Sequence, residues 1–277
     1  MDMLHAVVLG VVQGLTEFLP VSSSAHLIVV PWLFHWPEPG LAFNVALHLG
    51  TLTAVIAYFW RDLLEILHGV LRGLWLRRPL ADPMGRLGWI IVLGSIPAAI
   101  AGIVLQDAVD RFFHAGEGGR GAIALIALVL MLVALLLALA ERLATHRRPL
   151  SSITGRDGLL IGLAQMTALV PGVSRSGSTI TAGLFLGLRR EAAARFSFLL
   201  GTPAILGAGL LESRKLLAAG LDSSERGAFL LGFLTAALTG YLAIAFLLRY
   251  LQRRSTLVFV GYRVLAGLVL LVLVFLR

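Results

Sequence analysis

Glu17, Ser23 and His26 fall within ten consecutive residues of an otherwise apolar stretch, and Arg175 falls in a second stretch of the same kind. A carboxylate, a hydroxyl and an imidazole this close in sequence can supply a base, a nucleophile and an acid. Gln13 and Glu17 are four apart, so a helix puts them on one face. Beyond Pro20, Ser22 is placed to cap the next helix, which sets Ser23 and His26 in one turn with Ser24 beside them. Of the 15 acidic residues, Glu17 alone lies well inside an apolar segment. An intramembrane carboxylate marks function by default.

The second stretch reads Pro171-Gly172-Val173-Ser174-Arg175-Ser176-Gly177-Ser178-Thr179. Pro171 ends one helical run, since its ring removes a backbone donor and clashes with the preceding turn. Gly172 and Gly177 permit tight backbone, and Ser174 is a natural cap for the helix that follows. Arg175 and Thr179 share a face of that helix, with Ser174 and Ser176 beside them. Free N–H groups at a helix start, hydroxyls and a guanidinium fork together suit phosphate. A simple proline kink would not need the arginine.

The elements that position these residues are membrane helices. The 277 residues are 58% hydrophobic and 14% charged, against about 25% charged in a soluble domain. Apolar spans are expected at about 41–60, 87–105, 121–140, 194–211, 227–248 and 256–276. Residues 3–34 and 157–188 are broken at the two polar stretches. The fold class is therefore all-α and polytopic, with a broken helix pair plus three spans given twice. A shift of 152 residues lays Gln13 on Gln165, Ser22 on Ser174 and Ser24 on Ser176. This makes one membrane domain of two internal repeats, about 1–141 and 157–277. Three full crossings per repeat make the halves inverted copies, each with a re-entrant helix pair.

Charge placement sets an orientation. The segments 61–86, 142–156, 189–195 and 249–254 hold fifteen of the 23 basic residues, and the opposite segments hold six: Arg111, Arg120, Arg214, Lys215, Arg226 and Arg277. The positive-inside rule then puts both termini outside and lets the two broken tips meet near the midplane. The same rule explains the net charge of +8, so nucleic acid is not expected as a partner. No Lys or Arg precedes Arg61, so a charged leader region is missing and no cleavable signal is expected. With no cysteines, thiol catalysis is excluded.

Brought together, the tips set Glu17, His26 and serines opposite Arg175 and a helix start. That arrangement fits displacement at a phosphoryl group. One carboxylate is too few for a metal cage, but it can share Mg²⁺ or Ca²⁺ with a diphosphate. A lipid-phosphate flippase or secondary transporter with an anion site between inverted repeats is the alternative. Transport needs no nucleophile, which favours chemistry. Asn44 and His48, four apart, could line the site, and Arg263 inside the last span needs a partner.

Gln13–Leu27 (QGLTEFLPVSSSAHL) and Ala164–Ile180 (AQMTALVPGVSRSGSTI) resemble the two signature regions of the undecaprenyl-diphosphate phosphatase family, also called bacitracin-resistance proteins. The likeness continues through Phe43–Val55, Phe196–Ala204 and Gly261–Gly267, and covers nearly the whole chain. It implies hydrolysis of undecaprenyl diphosphate to the monophosphate, the lipid carrier for cell-wall polymers. It also implies a multi-pass protein of the bacterial inner membrane, a site open to the periplasm or exterior, and a divalent cation. By motif, Glu17, Ser23, His26 and Arg175 would be catalytic, with Ser23 the nucleophile and Arg175 the phosphate-binding arginine. Gln13, Ser22, Ser24, Ser174, Ser176, Gly177 and Thr179 would bind substrate, and Glu17 would hold the cation. Gln13 stands where many members have a glutamate, and Ser24-Ala25 replaces the usual Thr-Gly. Membrane lipid is an implied partner, and a homodimer is compatible with the sequence.

Overall fold

The computed structural model describes residues 2–37, 39–114, 119–219 and 226–276. Among the described residues ten α-helices follow in chain order: α1 (Met3–Phe18), α2 (Ser23–Phe34), α3 (Leu41–Trp75), α4 (Pro83–His114), α5 (Gly119–Leu143), α6 (Gly155–Met166), α7 (Arg175–Phe185), α8 (Arg190–Ala219), α9 (Arg226–Leu251) and α10 (Leu257–Leu276). Both expected breaks are present, between α1 and α2 and between α6 and α7. A broken pair followed by three long helices therefore occurs twice.

Several of the long helices overrun the expected spans. The 35 residues of α3 reach about 50 Å, well beyond an apolar core of about 30 Å. The helix bends at Phe59 (φ −101°, ψ 18°), next to the point where the apolar run ends at Trp60. Its partner α4 begins on Pro83, where a missing N–H costs nothing, and Asp82 Oδ1 accepts from Gly85 N at 2.8 Å. At the start of α6, Thr154 and Asp157 form a reciprocal capping box. Among the described residues, α3, α4, α5, α9 and α10 contain stretches long and apolar enough to cross a membrane. Ile103, Leu135, Leu238 and Leu265 point outward and suit acyl chains.

Small residues let the half-helices press against long ones. A Cβ on Gly14 of α1 would lie 1.9 Å from Thr239 Oγ1 and 2.7 Å from Ala236 O of α9. A Cβ on Gly162 of α6 would lie 2.0 Å from Gly94 O of α4. Gly10–Gly14 and Gly158–Gly162 are both G-x-x-x-G pairs, the spacing that brings two membrane helices into backbone contact. Each broken pair is thus docked on a helix of the other half of the chain.

The four basic segments gather at one end. Arg190 binds Glu141 through Nε (2.7 Å) and Nη2, and Thr256 Oγ1 donates to the other Glu141 oxygen at 2.8 Å. Arg148 grips Asp157 with two bonds (3.1 and 2.6 Å) and donates to Leu186 O at 2.9 Å. Arg195 pairs with Asp62. Burial alone would raise the Asp157 carboxyl, but hydrogen bonds from Arg148 and Thr154 outweigh it and hold it below the usual carboxylate range. Near the chain start His5 stacks on Trp36, with ring centroids 4.0 Å apart. Arg277 and the side chains of Arg214 and Lys215, assigned to the sparsely basic side, lie outside the described residues.

The α1–α9 contact makes a direct prediction. Gly14→Ala must push the backbones apart and is expected to cost about 2 kcal/mol, a fall of several degrees in the melting midpoint in detergent. Gly207→Ala on α8, with open space around it, should leave the midpoint unchanged. Equal midpoints for the two variants would contradict the close approach.

Candidate active site

Both breaks use the same unusual cap. Ser22 (φ 78°) precedes α2 and Ser174 (φ 71°) precedes α7, each a non-glycine residue in the left-handed region. Such backbone is costly unless its surroundings fix it, and it collects at functional sites. Ser174 Oγ accepts from Gly177 N at 3.0 Å, as a cap should. Ser22 departs from the expectation. Its hydroxyl makes no cap bond to α2 and accepts from Gly172 N of the other tip at 3.1 Å. The tips are near enough to compete for it, and the long-range donor is otherwise an unmet backbone N–H.

The cluster around Glu17 sits where the tips touch. Glu17 is buried near the end of α1, and its two oxygens are used separately. Oε2 accepts from Ser23 Oγ at 2.6 Å and from Gln13 Nε2 at 3.2 Å, while Oε1 accepts from Arg175 Nη2 at 3.2 Å. Arg175 Nη1 donates to Ser197 O of α8 at 3.1 Å, and its Nε is buried without a partner. The guanidinium therefore keeps donors in reserve. Gln13 is fully buried and reaches the site through the Glu17 carboxylate. Asn44 and His48 lie on α3, with His48 Nδ1 2.8 Å from Asn44 O.

His26 is turned away from Ser23. Its Nδ1 lies 2.6 Å from Ser22 O and its Nε2 lies 2.6 Å from Tyr262 Oη of α10. The shared helical turn is as expected, but the hydroxyl proton of Ser23 is directed to Glu17. Most of the other hydroxyls are occupied in shaping the tips. Ser22 and Ser24 pair at 3.2 Å, as do Ser174 and Ser176. Ser176 Oγ also donates to Leu19 O at 3.0 Å, tying α7 to the first break. Thr179 Oγ1 donates to Arg175 O at 2.7 Å and meets Ser197 Oγ at 2.6 Å.

Arg263 resolves a question that the sequence leaves open. It is fully buried and spends its guanidinium on backbone carbonyls. Nη1 donates to Pro20 O (3.1 Å), Nη2 to Gly172 O (2.7 Å) and Val173 O (3.2 Å), and Nε to Leu130 O of α5 (3.1 Å). One side chain thus joins both breaks. Tyr262 and Ser197 were not singled out from sequence. Tyr262 directly precedes the intramembrane Arg263, and Ser197 lies within the Phe196–Ala204 likeness, so weak signals existed for both.

These features define an all-α polytopic membrane protein with a carboxylate–hydroxyl–guanidinium cluster where two broken helix pairs meet. The chain belongs to the bacitracin resistance protein BacA family, whose profile matches residues 6–269. It is 61% identical over 274 residues to the undecaprenyl-diphosphatase of Thermomicrobium roseum, covering 99% of each chain. It is 50% and 49% identical over 277 residues to the undecaprenyl-diphosphatases of Geobacter sulfurreducens and Moorella thermoacetica, covering 100% of each chain.

The Arg263 clamp is directly testable. Arg263→Met strands the carbonyls of Pro20, Gly172 and Val173, each worth about 1–3 kcal/mol when buried without a partner, while Leu130 O keeps its bond within α5. Both thermal stability and turnover should fall. Arg263→Lys keeps the charge but cannot span three of those carbonyls, so it should resemble the methionine variant. A lysine variant as stable as the original protein would contradict the clamp.

Proposed function

We propose that this protein is an undecaprenyl-diphosphate phosphatase, hydrolysing the lipid diphosphate to undecaprenyl phosphate and inorganic phosphate. This would recycle the lipid carrier for cell-wall synthesis. Relatives of matching length that carry that name support the substrate. The observation that carries the chemistry is the Ser23 hydroxyl donating to Glu17 at 2.6 Å while Arg175 holds the other oxygen of the same carboxylate.

In this reading the terminal phosphate lies against Arg175, whose unpaired Nε and remaining Nη hydrogens bind its oxygens. Ser23 Oγ attacks the terminal phosphorus and its proton passes to Glu17. The bond to the prenyl phosphate breaks and undecaprenyl phosphate leaves. As Glu17 becomes neutral, its hold on Arg175 weakens, and the guanidinium charge is freed for the phosphoryl oxygens. Water then attacks the phosphorus held on Ser23, and the Ser23–phosphorus bond breaks as Glu17 returns its proton to Ser23 Oγ. The water proton passes to His26 Nε2 by way of the Tyr262 hydroxyl that faces it. The serine pairs, Gly177 N and Thr179 hold the tips in shape around the diphosphate.

Among the described residues no group of three or more His, Asp or Glu gathers as a metal cage. Glu17 already takes three donors, so it fits a cation only as one ligand shared with diphosphate oxygens. Mg²⁺ or Ca²⁺ in that position would supply neutralising charge. The gathering of the basic segments at one end supports an inner-membrane orientation with that end cytoplasmic and the site serving the periplasmic or outer face. The crossed docking of α1 on α9 and α6 on α4 supports reading the halves as inverted repeats.

Purified protein in detergent should release phosphate from a long-chain prenyl diphosphate, stop with EDTA, and recover with Mg²⁺ or Ca²⁺. No release under any of these conditions would favour lipid-phosphate transport. Ser23→Ala should lower kcat by about a hundredfold or more, and Arg175→Lys should lose most activity despite its charge. Near-normal turnover in Ser23→Ala with none in His26→Ala would replace the serine by the histidine as nucleophile.

A further inference from the structure

Resting on the phosphatase reading, we propose that Tyr262 is the positioning residue for His26. A backbone carbonyl can only accept, so the 2.6 Å contact with Ser22 O places the imidazole hydrogen on Nδ1. Nε2 is then the basic nitrogen of the neutral ring, and Tyr262 Oη faces it at 2.6 Å. The two rings lie nearly parallel, 15° apart with centroids separated by 5.7 Å. Two hydrogen bonds on opposite edges therefore fix both the tautomer and the rotation of His26.

The hydroxyl suits this place because it works in both protonation states. It donates to Nε2 of the neutral ring and accepts from Nε2–H of the imidazolium. His26 can therefore gain and lose a proton during a cycle without moving. Ser23 does not compete for Nε2, since its proton is given to Glu17. The position of Tyr262 is itself anchored. The next residue, Arg263, binds Pro20 O and Gly172 O, so α10 is registered against the same break that sets Ser22 and His26. Clamp and phenol come from adjacent residues of one helix, which ties the orientation of His26 to the closure of the tips.

The decisive variant is Tyr262→Phe, which keeps the ring and removes only the hydroxyl. Tyr262 is 45% exposed, so the fold should tolerate the change. The first readout does not depend on turnover. Diethyl pyrocarbonate reacts with an unblocked imidazole nitrogen, and peptide mass spectrometry follows its addition to His26. The Y262F protein should be modified several-fold faster than the original. The second readout is kinetic: kcat should fall about tenfold, as for one lost hydrogen bond, with KM and melting midpoint unchanged. An unchanged modification rate, unchanged kcat, or a kcat loss accompanied by a lower midpoint would each overturn the proposal. If the original protein released no phosphate, the phosphatase reading would fail while the modification rates still decided the role of Tyr262.

Discussion

Backbone groups cannot be left unpaired away from water, and this chain breaks two helices inside its own bundle. Each break frees carbonyls that water would satisfy at a surface but lipid cannot. Arg263 answers that constraint by donating to Pro20 O on one tip and to Gly172 O and Val173 O on the other. A single cation thereby sets the spacing of the two tips. Gly172 N and Ser176 Oγ add crossing bonds to Ser22 Oγ and Leu19 O. The breaks support each other, and neither would be satisfied alone.

Once the tips are fixed, the chemistry follows from proximity. Glu17 and Arg175 are 158 residues apart in sequence yet form an ion pair at 3.2 Å. Burying two charges is expensive, and their attraction alone seldom repays it. Here both partners hold further bonds, with Ser23 and Gln13 on the carboxylate and Ser197 O on the guanidinium. One guanidinium nitrogen is nonetheless left without a partner. A largely buried arginine with a spare donor beside a hydroxyl already aimed at a carboxylate is poorly explained by stability alone. It fits the phosphate-binding role proposed for Arg175.

The two breaks and the residues on them were legible because proline, serine and arginine stand out sharply against apolar sequence. Pro20 and Pro171 mark the ends of α1 and of the turn after α6, and Glu17 is conspicuous by its charge. The long helices were legible in their apolar cores, while their overruns were not. In α3 the last 15 residues beyond Trp60 continue as helix because they pack on α4 where Gly69 meets Gly85, and on the turn at Arg78 and Pro79 through Gly73, a tertiary cause. The partner of His26 was hidden for a similar reason. An i, i+3 relation between Ser23 and His26 suggests contact, but the direction of each side chain depends on what lies across the gap. Tyr262 lies 236 residues away from His26, and no local pattern points to it.

The same contrast separates the two tips themselves. Ser22 and Ser174 share a left-handed backbone, and each break carries a serine pair at 3.2 Å two residues apart. The residue that follows the cap then differs. On the first tip it is Ser23, small enough to place its oxygen 2.6 Å from Glu17. On the second it is Arg175, long enough to cross to that carboxylate from the opposite half. A hydroxyl needs to be close and an arginine can reach, so one backbone frame used twice yields two different tools. The frame supplies position, and the residue after each cap decides which group stands there and how far it reaches.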